Sequence, residues 1–107
     1  MVALHNSTWS SASRDGTLEI RLAGEIDHAN ADELLERLRL ELADVPTDVV
    51  VIDLASVTFL DSSGLRLLLR AKSEIGARGA ALFLREPGPQ ARRLFAVSGV
   101  ADEFPLR

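Results

Sequence analysis

Val49-Val50-Val51-Ile52 restricts the possible folds of this chain more than any other segment. β-Branched side chains are stiff at χ1 and suit a pleated surface, so Asp48 to Leu54 is expected to form a strand. Its apolar run does not alternate with polar residues, which calls for cover on both faces and marks a central strand with parallel neighbours. Parallel neighbours require crossover connections of a dozen or more residues. Amphipathic segments of that length lie on both sides of the strand.

Upstream, Ala31, Leu34, Leu35, Leu38 and Leu42 share one helical face, while Asp32, Glu33, Glu36, Arg37 and Glu41 occupy the others. Asn30 with Glu33 three residues on resembles a capping box, and Asp44-Val45-Pro46 ends the helix. Downstream, Asp61-Ser62-Ser63-Gly64 opens a second helix. Its apolar stripe is Leu65, Leu68, Leu69 and Ile75, its wet side is Arg66, Arg70, Lys72 and Glu74, and Gly76 and Gly79 bound its far end. Ala80 to Leu84 reads as another strand. Pro87-Gly88-Pro89 then precedes a third helix, with Ala91, Leu94, Phe95 and Val97 turned inward and Ser98-Gly99 at its end. The tail from Val100 to Arg107 adds an edge strand or packs against the rest.

At the N-terminus, Trp9 to Ala12 and the alternating Thr17 to Leu22 flank Asp15-Gly16, the pattern of an antiparallel hairpin. A polar connector, Ala23 to Ala29, follows. The expected fold is α/β: a single domain over residues 1–107, with a mixed β-sheet made of an N-terminal antiparallel hairpin plus parallel strands, and amphipathic helices that leave one face thinly covered.

Composition removes several function classes. Sixteen acidic residues against twelve basic ones repel nucleic acid and anionic membranes, so neither is an expected partner. Without cysteine there is no thiolate nucleophile or zinc-thiolate site, and a cytoplasmic setting is expected. The first residues lack the basic start and apolar core of a secretory leader, and no apolar run is long enough to span a bilayer. No nucleophile elbow occurs, since Leu60 and Asp61 stand where it needs glycine, and the only histidines are His5 and His28. No glycine-rich nucleotide loop and no histidine pair at ligand spacing are present, so no cofactor or metal is expected and the chain is not read as an enzyme. Asp53 lacks the companions of a phosphoacceptor aspartate and is assigned a structural role.

Ligands of open α/β sheets gather at the carboxyl ends of the parallel strands. Two polar loops lie there, Gly24 to Ala29 and Thr58 to Gly64, and bring Asp27, His28, Asp61, Ser62, Ser63 and Gly64 toward one rim. Each has a plainer reading. Ser62, Ser63 or Asp61 can cap the helix, Asp27 can close an Asx turn, His28 can be merely solvated, and Gly64 can permit close packing. Arg92-Arg93 reads as a solvated pair.

Gly24-Glu25-Ile26-Asp27, the Asp53-Leu54…Phe59-Leu60-Asp61-Ser62-Ser63-Gly64-Leu65 segment and Arg93-Leu94-Phe95…Ser98-Gly99-Val100 together resemble, in order, the signatures of the anti-sigma factor antagonists, or anti-anti-sigma factors, of the STAS domain family. The resemblance implies partner switching. An unphosphorylated antagonist binds an anti-sigma factor that is itself a serine protein kinase, and a sigma factor is released. The kinase then phosphorylates the serine corresponding to Ser62, and a PP2C-type phosphatase reverses this. The resemblance assigns the phosphorylation site to Ser62, and the rim of Asp27, His28, Asp61, Ser63 and Gly64 to partner binding. A monomer or weak dimer is expected. The alternative is a constitutive STAS scaffold in a larger stress-signalling or transport assembly. Arg66 departs from the pattern, where a small or aliphatic residue is common, and leaves open phosphate contact or altered partner choice.

Overall fold

The computed structural model describes every residue from Met1 to Arg107. The element order is β1 (Val2–Leu4), β2 (Ser7–Arg14), β3 (Thr17–Ile26), α1 (Ala31–Asp44), β4 (Val49–Leu60), α2 (Ser62–Ala77), β5 (Ala81–Arg85) and α3 (Pro89–Val97), closed by a 3₁₀ turn at Ala101–Glu103. The five strands form one sheet in sequence order. β1, β2 and β3 pair antiparallel, whereas β3–β4 and β4–β5 are parallel.

β4 occupies the centre of the parallel half, and Val50, Val51 and Ile52 are each buried in succession. Neighbouring residues on a strand point to opposite faces, so this run is covered on both, as its composition predicts. One continuous core takes Leu18, Ile20 and Leu22 from β3, Leu34, Leu35 and Leu38 from α1, and Leu68 and Ile75 from α2. A buried leucine contributes roughly 1.5–3 kcal/mol, so the regular apolar stripe of α1 fixes which way that helix faces. On the opposite side of β3, Glu19 and Arg21 are exposed and pair with Arg85 at 3.0 Å and Asp53 at 3.7 Å. Charge on this surface agrees with a face that carries little cover. Asp53 also accepts the Ala55 N–H, which confirms a structural place for it within the strand.

The hairpin turn at Asp15-Gly16 has φ of 52° and 81°, the two left-handed positions a tight primed turn demands. Other expectations need correction. β1 is an added edge strand, and both long strands outrun their apolar segments. Ala23 to Ile26 belongs to β3, and β4 continues to Leu60 instead of ending at Leu54. Parallel pairing carries the backbone on, through irregularities between Arg21 and Ala23 and between Gly24 and Glu25. In α2 the inner face uses Leu67 while Leu69 is only half-buried, and Val97 at the end of α3 is 81% exposed. Gly99 takes the expected left-handed position after α3, with φ 73°. The tail does pack on the sheet edge: in a parallel bridge to Leu106, the Leu84 N–H donates to the Pro105 carbonyl and the Leu84 carbonyl accepts the Arg107 N–H.

The capping box at Asn30 does not form. Asn30 precedes α1 but its side chain makes no cap and is fully buried. The Asn30 carboxamide accepts the Asp27 N–H at 3.1 Å and donates to the carbonyls of His5 and Glu25 and to the Ser7 hydroxyl. A buried amide with these partners locks the end of β3 to the β1–β2 turn. Asn30→Ala is expected to lower the unfolding free energy by about 3 kcal/mol in urea denaturation, because it strands buried acceptors. Glu33→Ala, which a capping box would make costly, should change it by less than ~0.5 kcal/mol.

Candidate functional site

The parallel register aligns Ile26 with Leu60, so the ends of β3 and β4 leave the sheet together. The Asp61 N–H donates to the Ile26 carbonyl at 3.2 Å, extending the ladder to the first residue before α2. β5 pairs with β4 only as far as Asp53, and beyond that the Gln90 side chain of α3 supplies the missing partner. Its Nε2 donates to the Leu60 carbonyl at 2.7 Å and its Oε1 accepts the Leu60 N–H at 3.0 Å. A single carboxamide thus mimics a strand neighbour at the entrance to α2. Nothing in the local sequence signals this role, because Gln90 follows a proline at a helix start and its partner is thirty residues away.

α2 begins without an intervening loop, which corrects the expected Thr58 to Gly64 connector. Asp61 is its N-cap: Oδ1 accepts the N–H groups of Ser63 at 2.8 Å and Gly64 at 3.0 Å. A carboxylate there satisfies orphan donors and opposes the positive end of the helix dipole. The capping role therefore falls to Asp61, as one reading allowed, and Ser63 does not share it. Ser63 is half-buried, facing the groove between α1 and α2. Ser62 is exposed at the first helical position, and its hydroxyl bonds to no protein group.

Gly64 is buried against the end of β3. A Cβ there would lie 2.8 Å from Leu60 Cγ, 3.0 Å from the Ile26 carbonyl oxygen and 3.1 Å from Ile26 Cγ2. Glycine is needed for contact with backbone, and the close-packing reading holds. Asp27 closes an Asx turn, with Oδ1 accepting the Ala29 N–H at 2.9 Å. Its other carboxylate oxygen bonds to no protein donor. His28 is exposed and lines the same α1–α2 groove as Ser63. The structure thus brings the two loop ends onto one rim, through the Ile26–Leu60 pairing, the Asp61–Ile26 bond and the shared groove. Phe59, half-exposed at 44%, stands beside Glu25 on this rim and adds an apolar surface that the sequence reading left out.

Below the rim, α1 and α2 are joined by Arg39, which donates to Glu74 at 2.7 Å and approaches Glu36 at 3.4 Å. The Glu74 hydrogen bond is the main cause of an upward shift in the Arg39 pKa, opposed by partial desolvation. The groove between the helices has a volume of about 210 Å³. Gly64→Ala is expected to cost about 2 kcal/mol of stability in chemical denaturation, since either the Leu60 side chain or the β3 end must shift. Gly76→Ala, where a Cβ meets nothing within 4 Å, should instead stabilise by about 0.5–1 kcal/mol.

Comparison with known proteins agrees with the fold. A family model for the STAS domain matches residues 8–107. The anti-sigma F factor antagonist of Lysinibacillus sphaericus is 30% identical over 84 residues, covering 78% of this chain and 72% of that protein. A crystal structure of an anti-sigma factor antagonist from Mycobacterium paratuberculosis superposes with a TM-score of 0.82 at 31% identity, over 99% of this chain and 89% of that one. The Bacillus cell fate determinant SpoIIAA, in its phosphorylated form, shares the fold with a TM-score of 0.73 at 24% identity, over 94% and 91% of the two chains. The family model over residues 8–107 and the 30% identical relative place the chain in one family: it belongs to the STAS domain family.

Proposed function

We propose that this protein is an anti-sigma factor antagonist whose unphosphorylated form binds an anti-sigma factor of the serine-kinase type, frees a sigma factor, and is released when Ser62 is phosphorylated. One observation carries the reading: Ser62 is exposed with a free hydroxyl, while the adjacent Asp61 carries the whole capping duty of α2. The serine can be modified without taking a hydrogen bond from the fold. The chain then acts as the substrate of another enzyme, not as a catalyst. In the transfer, Ser62 Oγ attacks the γ-phosphorus of ATP held by the kinase, its proton passes to a kinase base, and ADP leaves. Hydrolysis by a PP2C-type phosphatase returns the hydroxyl and releases inorganic phosphate.

Charge gives the switch its sign. A phosphoserine adds roughly -1.5 to -2 charges beside Asp61, with Asp27 on the same rim. A partner surface matched to the neutral serine meets strong repulsion when the phosphate arrives. The relatives named anti-sigma factor antagonists, and the phosphorylated SpoIIAA of the same fold, support this reading.

Incubation with the cognate anti-sigma kinase and ATP should add one phosphate by mass spectrometry, and Ser62→Ala should remain unmodified. Failure of transfer to Ser62 would favour a constitutive scaffold. Ser62→Asp should weaken capture of that kinase at least about tenfold relative to Ser62→Ala, a difference of about 1.4 kcal/mol. Asp27→Asn keeps the Asx-turn oxygen while removing the charge, so weaker binding with an unchanged melting temperature would place Asp27 in the interface. Equal binding would leave it only the turn.

A further inference from the structure

Twelve residues of this chain carry a lysine or arginine side chain. Nine are engaged within the fold. Arg14, Arg21, Arg37, Arg39, Lys72 and Arg85 pair with carboxylates. Arg78 and Arg92 donate to backbone carbonyls, and Arg107 lies over the Phe83 ring. Only Arg66, Arg70 and Arg93 have no such partner, and two of these line the α1–α2 groove next to Ser63. Free cations are therefore concentrated in one place, although the chain as a whole is acidic.

Their spacing aims them at the serine pair. Arg66 is four residues beyond Ser62 and three beyond Ser63, and Arg70 lies one turn further along the same face. Long side chains on a helix lean toward its N-terminus, so Arg66 covers the turn that holds Ser62. The groove has a volume of about 210 Å³, and Asp32 is the one carboxylate in its lining. His28 stands at its mouth. Asp61 and Asp27 do not line the groove: one oxygen of Asp61 accepts the Ser63 and Gly64 N–H groups, and one of Asp27 accepts that of Ala29. Within the groove lining itself, two guanidinium groups outnumber the single carboxylate of Asp32.

We infer that Arg66, supported by Arg70, forms an intramolecular docking site for the phosphoryl group on Ser62. A phosphate dianion and a guanidinium form a charge-assisted, geometrically matched pair. The modified serine is then held by its own helix. Arg66 and Arg70, open to a partner's carboxylates in the unmodified protein, are withdrawn from the surface in the modified one. This inference rests on the proposed phosphorylation of Ser62 and concerns what the protein does with the phosphate once it is there.

Phosphoserine installed at position 62 of the full chain during synthesis allows a test that needs no kinase. A phosphoserine titrates near pH 6, and a nearby cation favours the dianion. By phosphorus NMR, the apparent pKa of the phosphate in the otherwise unaltered chain should lie about half a unit or more below that in an Arg66→Ala/Arg70→Ala background. The gap should narrow in about 0.5 M salt, and Arg93→Ala should leave the titration unchanged. Superimposable titrations in the two backgrounds would overturn the inference. If the double variant melts well below the parent, the Arg66 Nε–H resonance of the parent chain provides the measurement: it must move on phosphorylation, and an unmoved resonance also overturns the inference. Absence of kinase transfer alongside a lowered phosphate pKa would sink the switching role alone. Normal transfer with identical titrations would sink the docking site alone.

Discussion

The parallel alignment of Ile26 with Leu60 is the constraint on which the rest of the rim depends. It sets the end of β3 beside the end of β4, and the Asp61–Ile26 hydrogen bond carries the alignment into the first residue before α2. Gly64 then presses backbone to backbone against the same Ile26 carbonyl. Three successive contacts on one short segment leave the helix mouth almost no freedom of rotation. On the far side of Leu60, where β5 has stopped, Gln90 closes the remaining hydrogen bonds from α3. The serine pair is thus held between two packed elements and does not ride on a flexible loop, the arrangement a recognition surface needs if a partner is to meet a fixed shape.

Much of this fold is legible in the sequence because the informative segments are periodic. The leucines of α1, the alternation of Thr17 to Leu22, the Asp15-Gly16 turn and the unbroken Val49–Ile52 run each point to one solution. The strand ends are not legible. Glu25 and Ser56 are polar and exposed, yet they lie in strands, because a parallel partner distant in sequence pairs with them. Propensity has no access to such a partner. Val97 fails for the opposite reason: it has the right spacing, but α3 stops there and the chain turns away at Gly99.

The candidate site shows the same division. Asp61-Ser62-Ser63-Gly64 announces a helix start, and an aspartate cap follows from elementary helix chemistry. Asn30 does not announce its role. Its spacing to Glu33 fits a local motif, but two backbone carbonyls and the Ser7 hydroxyl compete for the carboxamide and win, since burying them unpaired would be more costly than an open helix end. Groove formation by Arg66 and Arg70 is likewise tertiary. The sequence places both on the wet side of α2, and only the packing of α1 alongside shows that no carboxylate claims them.

The position of Ser62 within the first turn separates modification from stability. A serine acting as the cap would lose a hydrogen bond on phosphorylation, and a serine facing the groove, as Ser63 does, would bring the phosphate against α1. Ser62 does neither. Its hydroxyl is exposed and unbonded, so a phosphate adds repulsion from Asp61, which the positive end of the helix dipole offsets by about 0.3–1 kcal/mol. Both effects are small beside the 5–15 kcal/mol that usually holds a domain together. Under the proposed function, both forms would share the folded state and differ in the charge and shape of the rim. The proposed switch would then act through what the rim binds, with the scaffold beneath it left as it is.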